Sequence, residues 1–174
     1  MKRILTSTIL VAALAVSACT NPNRFGAGDG VNAGAGAGVG AGGIVPGSAS
    51  DPTSTAYFQQ AIGDRVLFEV DQSTLTETGR ATLNGQAGWL LTNSDYQAVI
   101  EGHADEQGTR EYNIALGGRR ANAVREYLLS QGVPAARLKT ISYGKERPIE
   151  ICSEESCYAK NRRAVTVLAG GLTS

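Results

Sequence analysis

The stretch Gly102–Ala121, which reads GHADEQGTREYNIALGGRRA, decides the fold because it joins a strand to a long helix through one polar turn. Before it, residues 96–101 contain the aromatic and β-branched side chains that favour a strand. After the turn, the pattern predicts a helix over 109–131, which Gly132 and Pro134 bring to an end. Loops that leave strand ends commonly carry binding groups, so this turn is the first candidate for a site.

Outward from this stretch, strands and helices alternate. The predicted strands cover residues 65–68, 138–143 and 164–168, and the predicted helices cover residues 57–62, 76–92 and 156–162. Strands that alternate with helices predict a two-layer α/β sandwich. In the long helix, an apolar stripe typical of a core-facing side is formed by Tyr112, Leu116, Ala123, Tyr127 and Leu128.

The first 18 residues have the composition of a secretory signal. Lys2 and Arg3 precede an apolar run that is too short to span a membrane comfortably, and small residues precede Cys19. The segment Val16–Cys19 resembles a bacterial lipobox, which implies cleavage before Cys19 and lipidation of that cysteine. In lipoproteins of this type, an aspartate after the cysteine favours retention in the inner membrane. Here Thr20 follows Cys19, which implies export to the outer membrane. An ordinary signal with an incidental cysteine, or a short anchor, is the alternative.

Residues 19–52 form the next segment, and few of their side chains are large. The run 26–43 is nearly all glycine and alanine, which cannot bury enough apolar surface to offset the entropy of ordering. We therefore predict a flexible tether between a lipidated N-terminus and a folded domain that covers residues 53–174. A membrane-inserting glycine zipper is the alternative, but the run lacks the large apolar side chains that partition into lipid.

Composition argues against several classes of function. Lys plus Arg and Asp plus Glu number 16 each, so the basic excess expected of a nucleic-acid-binding protein is missing. One histidine and three cysteines leave little material for a metal site, and we expect no cofactor. His103 is better explained as a structural hydrogen-bonding residue at a strand end than as a catalyst. Cys152 and Cys157 enclose four residues in an exported chain, which favours a disulfide between them.

Two charged side chains of the central stretch indicate its chemistry. Asp105 lies in the turn, and Arg120 lies seven residues after Asn113, about two helical turns, and so on the same helix face. A turn that folds back over that face would hold a carboxylate and a guanidinium apart in one groove. Such a groove suits a zwitterion, because the carboxylate binds an ammonium group and the guanidinium forks onto a carboxylate. Taken singly, Asp105 is better explained as a turn or cap residue, and Arg120 as the partner of a structural acid.

At this level of detail the sequence resembles a known family. Residues 113–121, with Gly102–Glu106 before them, are similar to the central motif of the OmpA-like domain family. The similarity extends from about Val66 to Leu168 and includes the segments 68–75, 141–146 and 161–165. The resemblance implies a βαβαβ(α)β domain with a mixed four-stranded sheet.

The same resemblance implies a ligand, the meso-diaminopimelate side chain of the peptidoglycan stem peptide. By position in the motif, Asp105 would hold the ammonium group of this residue and Arg120 its carboxylate. Three further residues match positions that line the pocket of the family, namely Asp71, Asn113 and Leu116. Two roles stay open for Arg162 and Arg163, which are contact with a ligand or partner and structural pairing.

Together with the lipobox, the resemblance implies a non-enzymatic outer-membrane lipoprotein that binds the cell wall. Lipid-anchored members of the family bind the periplasmic TolB propeller, and the Tol system helps to draw the outer membrane inward at division. Two alternatives stay open at this point. One is an OmpA-like lipoprotein of a secretion or signalling apparatus, and the other is a peptidoglycan-cleaving enzyme.

Overall fold

The computed structural model describes residues 43–170. The signal segment 1–18, Cys19 and most of the predicted tether lie outside the described residues. Residues 43–52, the last part of the predicted tether, are described and form consecutive turns, in which the N–H of Ser48 donates to Val45 and that of Asp51 donates to Ser48. A further turn, closed by the N–H of Ser54 on the carbonyl of Asp51, leads into the first helix.

Four helices and four strands follow in the described part of the chain. They are α1 (Thr55–Tyr57), which continues as a π-helical turn (Phe58–Gly63), β1 (Arg65–Leu67), α2 (Glu77–Thr92), β2 (Tyr96–His103), α3 (Arg110–Ser130), β3 (Leu138–Gly144) after a 3₁₀ turn (Ala135–Arg137), α4 (Glu155–Asn161) and β4 (Arg163–Gly170). All eight elements predicted from the sequence are confirmed, with ends that shift by at most two residues. Thr76 and Thr109 start α2 and α3, because each hydroxyl accepts a backbone N–H of the first turn.

The strands form one mixed sheet in the order β1-β4-β2-β3. β4 is antiparallel to both of its neighbours, whereas β2 and β3 are parallel because α3 returns the chain between them. The mixed four-stranded sheet implied by the resemblance is therefore confirmed. Because β2 is an inner strand, the turn that follows it starts from a fixed position.

The core lies between one face of the sheet and helices α2 and α3. Ala98 and Ile100, which alternate along β2, are buried in it. The other fully buried apolar side chains include Phe58, Leu83, Leu90, Val124 and Leu128. Trp89 of α2 packs beside Tyr96, the first residue of β2. The indole N–H donates to the Pro52 carbonyl at 2.7 Å, and the phenol donates to the Thr53 carbonyl at 3.0 Å.

The buried side of α3 differs from the predicted apolar stripe. Leu116 and Leu128 are buried as predicted, but the prediction is wrong for Tyr112, which is 44% exposed. The apolar pattern does not identify the buried face of α3, because two buried positions of that face, Asn113 and Arg120, are polar. Both side chains donate to backbone carbonyls, which is how a polar group is accommodated in the interior.

Candidate ligand-binding site

A cavity of about 290 Å³ opens where β2 ends. It is enclosed by the turn before α3, the first turns of α3 and the segment that follows β1. Its lining residues are Val70, Asp71, Asp105, Gln107, Gly108, Tyr112, Asn113 and Leu116. The structure thus brings four of the five predicted ligand-binding residues to one cavity, while Arg120 is absent from the lining.

Asp105 is a nearly buried carboxylate with both of its oxygens engaged. It is 8% exposed, Oδ1 accepts the backbone N–H of Gln107 at 3.3 Å, and Oδ2 accepts Nη1 of Arg162 at 3.2 Å. The hydrogen bond to Gln107 is the local bond typical of an aspartate in a turn. The guanidinium that contacts Asp105 directly is therefore Arg162.

The turn that carries Asp105 is held in place from two sides. Asn113, 1% exposed, donates from Nδ2 to the carbonyl of Gln107 at 2.7 Å. From the residue after β3, Nζ of Lys145 donates to the carbonyl of Gly108 at 2.7 Å. Gly108 has a φ of +87°, a left-handed conformation that favours glycine. These contacts give Asn113 a structural role in shaping the cavity, and Leu116 adds an apolar side chain to its lining.

Asp71 lines the cavity from a different part of the chain, the segment that follows β1. Its φ of +56° is the only left-handed value at a non-glycine position in residues 43–170. A carboxylate oxygen of Asp71 accepts the phenol hydroxyl of Tyr112, and this bond raises the pKa of the phenol. Strained backbone of this kind is concentrated at functional sites. Tyr112, predicted to face the core, lines the cavity instead.

Arg120 lies behind the cavity wall and is fully buried. Its guanidinium donates to three backbone carbonyls, those of Gln72 at 2.8 Å, His103 at 2.8 Å and Glu69 at 3.2 Å. Burial lowers its pKa to about 10, against the opposing attraction of Asp105, so it is charged at neutral pH. Among the described residues, two of its five N–H groups have no acceptor.

Arg162 and Arg163, left open by the sequence, both make structural contacts. Besides Asp105, Arg162 binds the carbonyl of Phe68 at 3.2 Å and the carboxylate of Glu155, while only 4% exposed. Burial lowers the pKa of Arg162, but its hydrogen bonds to Glu155 and Asp105 outweigh this and raise it overall. Arg163 donates to two backbone carbonyls. No sequence pattern marks Arg162 as a partner of Asp105, because 57 residues separate them.

His103 is buried but lacks the predicted hydrogen bonds. Within residues 43–170 neither ring nitrogen has a hydrogen-bond partner, and Nε2 lies 3.7 Å from the Glu101 carboxylate. The ring packs beside that of Tyr143, with centroids 5.6 Å apart. Burial, together with the positive charges of Arg163 and Arg147, lowers the pKa of His103 to about 4. His103 is therefore neutral at pH 7 and lies outside the cavity lining.

A disulfide joins Cys152 and Cys157, whose Cα atoms are 6.0 Å apart. It closes the segment that leads into α4. In the described part of the chain, no three His, Cys, Asp or Glu side chains are grouped as a metal site would require. Over the same residues, none of the helices has the length and apolar character needed to cross a bilayer.

The comparison with protein families matches residues 67–162 to the OmpA family. The chain belongs to the OmpA family. In a solved structure, the peptidoglycan-associated lipoprotein from Burkholderia pseudomallei superposes with a TM-score of 0.62 at 36% identity, covering 68% of this chain and 97% of that one. The C-terminal domain of Helicobacter pylori MotB has a TM-score of 0.59 at 20% identity, a likeness of fold alone.

Within that family, the chain groups with the peptidoglycan-associated lipoproteins. A protein of that name from Mesorhizobium japonicum is 50% identical over 164 residues, which cover 92% of this chain and 89% of the relative. Another from Pseudomonas aeruginosa is 44% identical over 158 residues, covering 88% and 90% of the two chains. These relatives are named as lipoproteins rather than as enzymes.

Proposed function

We propose that this chain is a lipid-anchored envelope protein whose folded domain binds peptidoglycan non-covalently. The observation that carries the proposal is the cavity at the end of β2, which is lined by two carboxylates from different segments, Asp71 and Asp105. The relatives are named as peptidoglycan-associated lipoproteins, and we therefore propose peptidoglycan as the polymer that is bound. Together these observations favour a wall peptide that carries an ammonium group.

The ligand that fits best is the meso-diaminopimelate residue of the stem peptide. Its side chain ends in an ammonium and a carboxylate, joined through a short apolar chain. In this proposal Asp105 accepts the ammonium, with Asp71 as a second acceptor, and Leu116 contacts the methylene groups. We assign the carboxylate to Arg120 from its position in the family motif, although its guanidinium is fully buried and outside the cavity lining. Two of its N–H groups, which donate to no backbone carbonyl, are the ones that would make this contact.

The proposed binding of a single stem peptide is modest. A hydrogen bond to a charged group contributes roughly 1.5–3 kcal/mol, and part of this offsets the loss of water from both partners. Many copies anchored in one membrane and facing one polymer would bind with higher avidity, because each bound copy keeps its neighbours close to the next peptide. Weak single contacts would still allow the wall to be remodelled beneath the membrane.

We further propose how the domain is anchored in the cell envelope. Residues 1–18 direct export, Cys19 carries the lipid, and the outer membrane is the membrane that holds it. The tether 19–52 lets the domain 53–174 reach the wall. Binding of TolB, and through it a role in outer-membrane constriction at division, completes the proposal. Co-purification of TolB with the tagged chain tests this part, and its absence would favour another envelope apparatus.

Co-sedimentation with purified cell walls tests the wall-binding proposal. The wild type should pellet with walls and release no soluble fragments, because release would indicate cleavage. Asp105→Asn and Arg120→Gln should each remain in the supernatant. Glu106→Gln is the matched control, since it removes an exposed charge from the same turn outside the cavity lining.

Arg120→Gln also removes contacts to three carbonyls, so thermal unfolding has to show that it still folds. Asp105→Asn keeps the shape of the side chain and decides the outcome if Arg120→Gln unfolds. Undiminished sedimentation of a folded Asp105→Asn variant would overturn the proposed site.

A further inference from the structure

Arg162 is a buried guanidinium shared by two carboxylates. Nη1 donates to Asp105 inside the cavity wall, and Nη2 donates to Glu155 on the outer side. Nε is bound to the carbonyl of Phe68, which fixes the plane of the guanidinium. A planar guanidinium held at three points fixes the positions of its two carboxylate partners relative to each other.

Glu155 is the outer member of this group and contributes nothing to the cavity lining. Its side chain is 65% exposed, and it is the first residue of α4. The disulfide between Cys152 and Cys157 brackets it in the chain, and Cys157 lies buried in α4. The disulfide therefore constrains the backbone on both sides of Glu155.

The charges alternate as negative, positive and negative along Asp105, Arg162 and Glu155. The three together carry one net negative charge. Without Glu155 the pair Asp105–Arg162 is neutral, and the positive charge of Arg162 offsets part of the attraction that Asp105 exerts on an approaching ammonium group. Because Asp105 and Arg162 are both nearly buried, solvent screens their fields less than it does at the surface.

We propose that Glu155 is a positioning residue for the ammonium end of the ligand. By sharing Arg162, Glu155 preserves the negative electrostatic potential of Asp105 in the cavity. The Cys152–Cys157 disulfide keeps Glu155 in position to contact Arg162. The inference rests on the proposed function, in which Asp105 binds a side-chain ammonium.

The test measures binding of two soluble stem peptides to the full chain. One peptide carries meso-diaminopimelate with a free side-chain amino group, and in the other this group is acetylated. Glu155→Gln should weaken binding of the free-amine peptide about threefold to fivefold, the range expected for a partly exposed ion pair. Binding of the acetylated peptide should be unchanged.

Glu154→Gln is the matched control. It removes the same charge from the neighbouring residue, which forms no side-chain cap on α4. It should change neither affinity by more than about twofold, since an exposed, unpaired charge is screened. Equal effects of the two glutamine variants would overturn the inference. A Glu155→Gln variant that loses both peptides equally would also overturn it, because such a loss indicates general loosening.

A second arm tests the disulfide. Replacing both cysteines by serine should produce the same selective loss as Glu155→Gln, and adding Glu155→Gln to that variant should produce little further loss. Full additivity would show that the disulfide does not act through Glu155 and would overturn that part.

Failure of the proposed function gives a different result. If the wild type binds neither peptide, or Asp105→Asn binds as well as the wild type, the site itself is wrong and the inference falls with it. If Asp105→Asn loses the free-amine peptide while Glu155→Gln keeps it, only the inference is wrong.

Discussion

Gly102 in β2 and Gly117 in α3 are in direct backbone contact. A Cβ on Gly117 would lie 2.7 Å from the carbonyl oxygen of Gly102, and a Cβ on Gly102 would overlap the Gly117 carbonyl. The helix can therefore approach the strand only because both residues lack a side chain. This contact sets how far Asn113 and Leu116 stand from the turn that carries Asp105.

We predict that Gly102→Ala destabilises the domain by about 3 kcal/mol or more, because backbone atoms cannot yield as a flexible side chain does. Gly88→Ala in α2 is the control, since nothing lies within 4 Å of its Cβ. That substitution should stabilise by about 0.5–1 kcal/mol through helix propensity. Urea unfolding measures both, and similar stability of the two variants would contradict the prediction.

The buried histidine predicts a dependence of stability on pH. The pKa of His103 is about 4 in the folded domain, below its ordinary value of 6.5, so the unfolded chain takes up a proton first. Above about pH 7, His103 is neutral in both the folded and the unfolded chain and does not affect the free energy of unfolding. The free energy of unfolding declines as the pH falls from 6.5 towards 4. At pH 5 the loss is about 2 kcal/mol.

Urea unfolding at pH 7 and pH 5 checks this for the wild type and His103→Gln. The variant cannot take up this proton, so its stability should fall less between the two pH values, whatever its stability at pH 7. Identical losses in both proteins would show that other groups cause the pH dependence.

Asp71 predicts a conflict between stability and binding. With its φ of +56°, replacement by alanine keeps the unfavourable left-handed backbone, whereas glycine relieves it. Asp71→Gly should therefore be more stable than Asp71→Ala by about 1 kcal/mol. Both should bind walls less well than the wild type, since both lack the carboxylate. Urea unfolding and wall co-sedimentation give the two quantities, and full binding by Asp71→Gly would exclude Asp71 from the site.

The disulfide predicts a moderate contribution to stability. It closes a loop with a sequence separation of 5, so opening it releases little chain entropy, about 2 kcal/mol. Denaturant unfolding of Cys152→Ser/Cys157→Ser against the wild type measures this. Unchanged stability would mean that α4 docks without the covalent link.

The anchor is tested by Cys19→Ser. We expect the variant to accumulate as an unlipidated form that takes up no radiolabelled palmitate, because the thiol that accepts the lipid is lost. The wild type, expressed alongside, provides the positive control. Label that enters the variant would show that lipid is attached elsewhere or that Cys19 is incidental.

The architecture was accessible from the sequence because each element has a local signal. Thr109 and Gly132 delimit α3, and the apolar runs of β2 and β4 have the composition of strands. The positions of Asp71, Asp105, Asn113 and Leu116 around one cavity follow from a motif in the family resemblance. Periodicity alone places only Asn113 and Leu116 on the same helix.

The electrostatic arrangement was not accessible in the same way. The pairing of Asp105 with Arg162 joins residues far apart in the chain, and composition does not indicate which arginine is chosen. The buried face of α3 was also missed in part, since Asn113 and Arg120 look like surface residues when hydrophobicity is the only criterion. Backbone carbonyls from several loops accept their hydrogen bonds, and a sequence does not reveal where those carbonyls meet.

The hydrogen bonds of Trp89 and Tyr96 to the carbonyls of Pro52 and Thr53 have a mechanical consequence. They fix the point where the chain enters the fold at the start of β2, whereas the cavity opens at its end, about 25 Å away for eight residues of strand. If membrane and wall pull on the domain as proposed, tension runs along β2. Its ladders with β3 and β4 then resist in shear, with many bonds sharing the force, instead of opening one after another.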